Sequence, residues 1–185
     1  MLEKDRETYK KFFKDFGLQL KFGIYNDYGL HKDTLQDLIL FYSSKEKDLV
    51  TLKEFTDGLD KDIDTIYYAS GESIDKIDML PQVEAIKDKG FPILYLIDEN
   101  GNYKGVTEYV DEFVIKTLGE YNKKKFVNVS SKDVDLNSEE EKKELDKENT
   151  KYKDMFSAMK EVLKENIFDV RFTNRLKNHP VCLTT

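Results

Sequence analysis

Histidine and cysteine are the side chains that most often bind metals or carry redox chemistry, and this chain has only three of them. The two histidines, His31 and His179, lie far apart, and neither has a second histidine or a cysteine at ligand spacing. The single cysteine, Cys182, leaves no CxxC pair and no internal disulfide. These residue types therefore predict neither a metal centre nor a redox site.

Two polar segments resemble ligand-binding loops, and both matches are incomplete. Residues 98–109 begin with the spacing of a calcium loop, but Tyr103 stands where that loop needs glycine and Tyr109 where it needs glutamate. Residues 70–73 follow a predicted strand and could hold a phosphate at a helix N-terminus. We interpret both segments as turns, because polar turns after strands are far commoner than either kind of site.

No catalytic motif is recognisable elsewhere. The sequence has no P-loop, no Gly-rich dinucleotide fingerprint and no nucleophile in an elbow or dyad. Its 37 acidic residues make neighbouring carboxylates common, so such pairs do not indicate an active site. From the residues alone we therefore predict a scaffold or a binding module.

Bulk composition excludes further classes of protein. The 185 residues are 39% hydrophobic and 36% charged, and no apolar run is long enough to cross a membrane. The net charge is -7 and the lysines alternate with acids, so no basic surface for nucleic acid is indicated. No secretion signal follows Met1. We expect a cytoplasmic protein with neither a membrane nor a nucleic-acid partner.

The elements that must position any site begin with a strand–helix–strand unit at the centre of the chain. Residues 65–70 and 91–97 are short apolar runs rich in β-branched and aromatic side chains, as in strands buried on both faces. Between them, Pro81 suits the first position of a helix and Gly90 the position after its end. A connection of this length allows a parallel right-handed crossover, which predicts an α/β fold.

Apolar spacing and turn signals predict further elements on both sides of this unit. Before it we predict a helix over 9–20 with an aromatic core face, which ends near Gly17 or Gly23. We also predict a helix over 33–42. A third helix, over 52–59, follows the capping box of Thr51 and Glu54. After it we predict an Asn-Gly hairpin over 98–107, a helix over 110–118 and a strand over 125–129. A long helix then begins at Asn137 with a capping box of Ser138 and Glu141, and a strand follows over 167–172.

Several motifs, taken in order, resemble the Hsp90 chaperones and most closely their bacterial form. The motifs that carry the resemblance are residues 51–55, 66–72, 80–84, 89–96, 110–113 and 170–176. The resemblance covers nearly the whole chain and implies a piece of a longer protein. Its parts would be a helical segment of the middle domain (1–23), the α/β/α part of that domain (24–130), a linker (131–136), and the beginning of a truncated C-terminal dimerisation domain (137–185).

The resemblance also implies a fold and a function. The fold would be a three-layer α/β/α sandwich with a small, mainly parallel sheet, preceded by a helical segment and followed by a long helix leading into an α+β dimerisation unit. The family is an ATP-dependent, homodimeric chaperone that binds unfolded or partly folded client proteins. Its ATP pocket and catalytic arginine lie in segments before Met1. The resemblance thus implies no enzyme and no cofactor here, with ATP and Mg bound by the parent protein.

Client contact is the activity that the resemblance leaves to this piece. In the bacterial family an acidic–aromatic pair binds clients, and by motif it falls on Glu112 and Phe113, with Lys116 one turn on. A core aromatic is the other interpretation of Phe113. Residues 99–107 look like an insertion relative to the family, just before this predicted helix.

A second set of apolar residues lies on the long C-terminal helix. Met155, Phe156 and Met159 recur at helical spacing. The resemblance implies that they face either the core of the C-terminal domain or the client cleft, and both interpretations stay open.

Two other families remain as alternatives. Residues 90–101 look like the proline-bearing strand and the Asn-Gly hairpin of a thioredoxin-like fold, which without a CxxC pair would be a protein-binding adaptor. A cis bond before Pro92 would favour that fold. A nucleotide-binding α/β enzyme domain using residues 70–73 is the third possibility.

Overall fold

A computed structural model of the chain describes residues 2, 4–97, 106–131, 134, 137, 139–174, 176 and 180–183. The helices are α1 (Arg6–Asn26), α2 (Lys32–Leu35), α3 (Leu52–Asp57), α4 (Ile74–Asp78), α5 (Pro81–Asp88), α6 (Val106–Leu118), α7 (Glu139–Lys151) and α8 (Lys153–Leu163), with 3-10 turns at Gln36–Leu38 and Lys164–Asn166. The strands are β1 (Leu40–Ser43), β2 (Asp48–Thr51), β3 (Thr65–Ser70), β4 (Ile93–Leu96), β5 (Glu120–Tyr121) and β6 (Lys124–Asn128). None of the described helices is both long and apolar enough to cross a membrane.

The strands form a mixed sheet in the order β2-β1-β4-β3-β6-β5. Strand β3 runs parallel to both β4 and β6, which confirms the predicted parallel pairing and the α/β class. The helix predicted between β3 and β4 is confirmed as α4 and α5, and Pro81 occupies the first turn of α5. The pairs β1–β2, β1–β4 and β5–β6 are antiparallel. The prediction of a mainly parallel sheet is therefore wrong outside the three central strands.

Strands β3 and β4 are buried on both faces because their side chains alternate between two apolar clusters. One cluster joins these strands to α1, α3 and α6 through Ile66, Tyr68, Leu94 and Leu96. The other joins them to α4 and α5 through Tyr67, Ala69, Ile93 and Tyr95. Helices thus lie on both faces of the sheet.

The helix predicted over 33–42 is wrong in its second half. Helix α2 ends at Leu35, a 3-10 turn follows, and Leu40–Ser43 form β1. A short apolar run fits either a helix or a strand by spacing alone, and here pairing with β2 and β4 decides. The ring of Tyr42 stacks on Tyr95 of β4, with centroids 5.8 Å apart.

Helix α1 continues past both glycines at which it was predicted to end. A β-carbon at Gly17 would lie 2.8 Å from the Phe13 ring, and one at Gly23 would lie 2.8 Å from Leu35. These glycines therefore allow close packing and do not end the helix. The aromatic face is only partly core, because Phe13 is buried whereas Phe16 is 52% exposed.

The C-terminal region differs from prediction in two places. The long helix is interrupted at Tyr152, between α7 and α8, where its apolar stripe begins. Residues 167–172 were predicted to be a strand, but they form no strand, and the Phe172 amide instead donates to Asn149 Oδ1 of α7 at 2.7 Å. Most of the predicted 98–107 hairpin lies outside the described residues, as does Ser138.

Candidate functional site

Helix α6 carries three of the predicted client-binding residues, beside the carboxyl end of β3. One side of the helix is core, because Val110, Val114, Ile115 and Leu118 are buried. Apolar residues at this spacing fix that side against α1 and β4. The residues at 112 and 113 are half-buried and Lys116 is exposed, so they flank the core side.

Glu112 is anchored to the end of β3. Ser70 Oγ donates a hydrogen bond to Glu112 Oε1 at 2.8 Å, and Lys116 Nζ lies 3.3 Å from Oε2. The pair of ionic side chains is one helical turn apart and partly solvated, so its own contribution to stability is small. The structure thus brings Glu112 and Lys116 together, as their spacing on a helix requires.

A cleft of about 450 Å³ opens beside this pair, at the carboxyl ends of β3 and β6. Its polar lining includes Tyr68, Glu112, Lys116, Asn128 and Ser130. Burial, together with the Glu112 carboxylate, raises the pKa of Tyr68, although the neighbouring amide of Asn128 opposes the rise. The phenol therefore stays protonated near neutral pH and can donate a hydrogen bond into the cleft.

Phe113 faces a different neighbour. Its ring centroid lies 4.5 Å from that of Tyr25 and 6.3 Å from that of Tyr28, and Tyr109 is 6.2 Å from Tyr25. We call Tyr25, Tyr28, Tyr109 and Phe113 the aromatic patch. Tyr28 is 84% exposed and Tyr109 is 63% exposed, so much of this patch faces solvent. Phe113 is therefore neither a core residue nor an isolated surface ring.

The tyrosines of the patch were missed by the sequence analysis. Tyr25 follows the predicted end of α1, so ending that helix at Gly17 or Gly23 removed it from consideration. Tyr28 has φ +53, in the left-handed region that few side chains adopt, and this turn redirects the chain after α1. The spacing of Phe22 and Tyr25 on a longer helix was the available signal.

A buried ion pair between α1 and α6 was missed as well. Lys21 Nζ of α1 lies 2.7 Å from Asp111 Oδ1 of α6, and the two side chains are 8% and 2% exposed. The ammonium also lies 5.5 Å from the Phe13 ring and 5.4 Å from the Phe41 ring. A lysine among apolar residues of an amphipathic helix normally lies at the solvent side, so no sequence signal marks this one.

Met155, Phe156 and Met159 form a second, separate apolar surface on α8. Met155 and Met159 are exposed, and no described residue of α8 is buried. The Phe156 ring packs edge-on against Phe172, with centroids 4.9 Å apart. These three residues therefore line a partly covered helix face within the described part of the C-terminal region.

The loops that could have bound ligands have other roles where the structure describes them. Ser73 Oγ accepts from the Lys76 amide and caps α4, which supports the turn interpretation of residues 70–73. His31 Nδ1 lies 2.6 Å from Asp27 Oδ2 in an exposed contact. The described residues contain no group of three or more His, Cys, Asp or Glu side chains placed to hold a metal. Most of the calcium-like segment lies outside them.

The thioredoxin-like alternative is not supported. The Phe91–Pro92 bond is trans, since the described residues contain no cis peptide. The strand order places β3 between two parallel neighbours, with the β1–β2 hairpin beyond β4. The cis bond before Pro92 that would have favoured a thioredoxin-like fold is therefore not present.

Comparison with known proteins identifies the family. The profile described as Hsp90 protein matches residues 1–185. The chain is 49% identical over 183 residues to chaperone protein HtpG of Bacillus subtilis (strain 168), covering 99% of the chain and 28% of that relative. It is 50% identical to the HtpG proteins of Oceanobacillus iheyensis and Clostridium perfringens, covering 100% of the chain and 28% of each. The chain thus spans a little over a quarter of these curated relatives, and it belongs to the Hsp90 family.

Proposed function

We propose that this chain is part of an ATP-dependent Hsp90-type chaperone and that it binds unfolded or partly folded client proteins. Its relatives are named as chaperones, and the chain corresponds to 28% of their length. The parent protein would be a cytoplasmic homodimer that binds ATP and Mg. The chain itself would contribute binding and no catalytic group.

The proposed domain division follows the family order. Residues 1–23 and 24–130 would form the helical and α/β/α parts of the middle domain, and 131–136 the linker. Residues 137–185 would begin the dimerisation domain. The two apolar clusters on opposite faces of the sheet support the three-layer sandwich for the middle part.

The observation that carries the proposal is the pairing of an anchored acid with a half-exposed aromatic. Ser70 holds the Glu112 carboxylate at the sheet edge, while Phe113 lies in the aromatic patch. A client segment could therefore contact an apolar surface and a charged one at the same time. Aromatic anchors beside polar groups are typical of strong contact points at protein interfaces.

The second apolar surface extends the proposal. Met155, Phe156 and Met159 would contact either client or the rest of the C-terminal domain. Methionine side chains adapt to varied partners, which suits a surface that meets many sequences. Photo-crosslinking from position 155 in the dimeric parent would distinguish crosslinks to client from crosslinks within the domain.

Photo-crosslinking also tests the main site. A photoreactive phenylalanine analogue placed at position 113 should crosslink to a polypeptide kept unfolded by carboxymethylation of its cysteines, and not to the same protein folded. The same analogue at position 16, an exposed phenylalanine of α1 outside the patch, is the matched control. Equal crosslinking from both positions would contradict the site.

A further inference from the structure

A buried charge contact joins helices α1 and α6. Lys21 Nζ and Asp111 Oδ1 lie 2.7 Å apart, and both side chains are almost fully buried. Asp111 immediately precedes Glu112 and Phe113 in the chain. A change in the rotation of α6 at Asp111 would therefore also move the two residues next to it.

The Lys21 ammonium is itself held in place. It lies over the ring of Phe13, on the same helix, and over that of Phe41, on β1. Attraction between a cation and two ring faces fixes the ammonium where water does not compete. The contact therefore ties three elements together at one point, namely α1, β1 and α6.

Beside this ion pair, α6 makes polar contacts with β3 and α2, since Ser70 donates to Glu112 and Lys32 Nζ donates to the Thr117 and Leu118 carbonyls. The other buried side chains of α6 near Asp111 are apolar. Val110, Val114 and Ile115 are buried in the cluster shared with α1. Apolar attraction is non-directional, so it favours burial of this side of the helix without choosing one rotation or one register. The Lys21–Asp111 ion pair adds a contact that forms only when the two buried charges face each other, in the way that single polar contacts set the register of packed helices.

We propose that Lys21 is a positioning residue, which through Asp111 sets the orientation of α6 and so places Phe113 against Tyr25. Lys21 and Tyr25 are one turn apart on α1, and their partners Asp111 and Phe113 are two residues apart on α6. The consequence for client binding rests on the proposed function, whereas the placement of Phe113 does not.

The absence of tryptophan from the sequence makes the placement measurable. In the full chain carrying Phe113→Trp, the only indole reports its own exposure through acrylamide quenching. The test variant adds Lys21→Met and Asp111→Leu, which replace both charges with apolar groups of similar size. Removing both partners leaves no unpaired buried charge, so this variant is expected to keep its unfolding midpoint.

Three comparisons decide the outcome. The apolar pair should raise the quenching constant about twofold or more and weaken binding of the carboxymethylated unfolded polypeptide about threefold, since the helix loses its directional contact. Lys21→Gln with Asp111→Asn leaves a polar group at each position and should retain the low quenching. Lys10→Met with Asp48→Leu removes a more exposed ion pair between α1 and β2, whose charged atoms are 2.5 Å apart. This control should change neither the quenching constant nor the affinity for the unfolded polypeptide.

Unchanged quenching in a folded apolar-pair variant would overturn the positioning role. Should that variant fail to fold, Lys21→Met with Asp111→Asn takes its place, because it removes both charges while keeping the shape of the aspartate side chain, and unchanged quenching there would equally overturn the positioning role. Increased quenching, together with client affinity that is insensitive to Phe113→Ala, would support the positioning role and contradict the proposed function.

Discussion

The Ser70 hydroxyl at the end of β3 donates a hydrogen bond to Glu112 Oε1 on α6 at 2.8 Å. This contact joins residues that are 42 positions apart and holds the acid against the sheet. The next residue, Phe113, faces α1 and packs on Tyr25. The acidic–aromatic pair is thus divided between two surfaces, and each can be altered while the other is left in place.

Replacing Ser70 with alanine tests the first of these surfaces. The variant should lose about 1 kcal/mol of unfolding free energy in urea, because a partly buried carboxylate loses a donor. Client affinity should fall about twofold, since Glu112 is no longer fixed. Ser157→Ala, on the exposed face of α8, should change neither quantity. Equal behaviour of the two variants would argue against an anchoring role.

Tyr95 supports the opposite face of the sheet through Asp78. Its hydroxyl donates to Asp78 Oδ1, and Lys87 pairs with the same oxygen. Burial opposes the charged form, but these two hydrogen bonds hold the pKa of Asp78 below its ordinary value of 3.8. Tyr95→Phe should cost about 1 to 2 kcal/mol at neutral pH, the usual loss for a hydrogen bond to a charged group.

The same variant should change the response to acid. A carboxylate with a lowered pKa stabilises the fold above its unfolded pKa, and that stability is lost as pH falls through the folded pKa. Tyr95→Phe removes part of the lowering, so the variant should lose less stability than the wild type between about pH 5 and pH 2. Tyr28→Phe, on the exposed patch, is the control. Parallel acid profiles for Tyr95→Phe and the wild type would refute this role of the hydroxyl.

Two glycines with the same backbone angle separate strain from crowding. Gly29 and Gly90 both have φ +83, but a β-carbon at Gly29 would lie 2.4 Å from Thr117 Cγ2 of α6, whereas none would be met at Gly90. Gly90→Ala should cost about 1 kcal/mol from backbone strain alone. Gly29→Ala should lower the free energy of unfolding by a further 1 to 3 kcal/mol, roughly, because the β-branched Thr117 has little rotamer freedom on a helix and cannot move away from the new methyl group. Similar thermal midpoints for both variants would show that close packing of the turn after α1 against α6 does not limit stability.

The capping box of α3 offers a prediction that was visible in the sequence. Thr51 Oγ1 accepts from the Glu54 amide at 3.1 Å, and Glu54 Oε2 accepts from the Thr51 amide at 2.8 Å. Thr51→Ala should lower the free energy of unfolding by about 1 kcal/mol. Lys53→Ala, exposed on the same helix, should stay within about 0.5 kcal/mol of the wild type. A larger loss at Lys53 than at Thr51 would contradict the cap.

Local signals predicted the elements whose ends are marked by specific residues. Strand β3 and the start of α3 were correct because turn and cap residues flank them. The second half of helix 33–42 was wrong because its apolar run also fits a strand, and only pairing with β2 and β4, which is not visible locally, decides between them. The predicted strand 167–172 was wrong, because the Phe172 amide donates its hydrogen bond to Asn149 of α7 and not to a neighbouring strand.

The candidate site was predictable only in part. The family motif marked Glu112 and Phe113, and helical spacing implied that Lys116 lies beside Glu112. Contacts between distant segments were invisible, because nothing in the sequence pairs Ser70 with α6 or Lys21 with Asp111. Such pairs depend on how α1 and the sheet pack together, which is decided by the whole core.

Client binding through Phe113 is the central claim, and the affinity of the chain for a labelled, carboxymethylated unfolded polypeptide tests it most directly. Fluorescence anisotropy should show that Phe113→Ala weakens binding about fivefold to tenfold, close to 1.4 kcal/mol at the upper end, as expected for an aromatic anchor. Phe16→Ala, which removes an exposed phenylalanine of α1 outside the aromatic patch, should leave the affinity unchanged. Equal affinities for the wild type and Phe113→Ala would contradict the account.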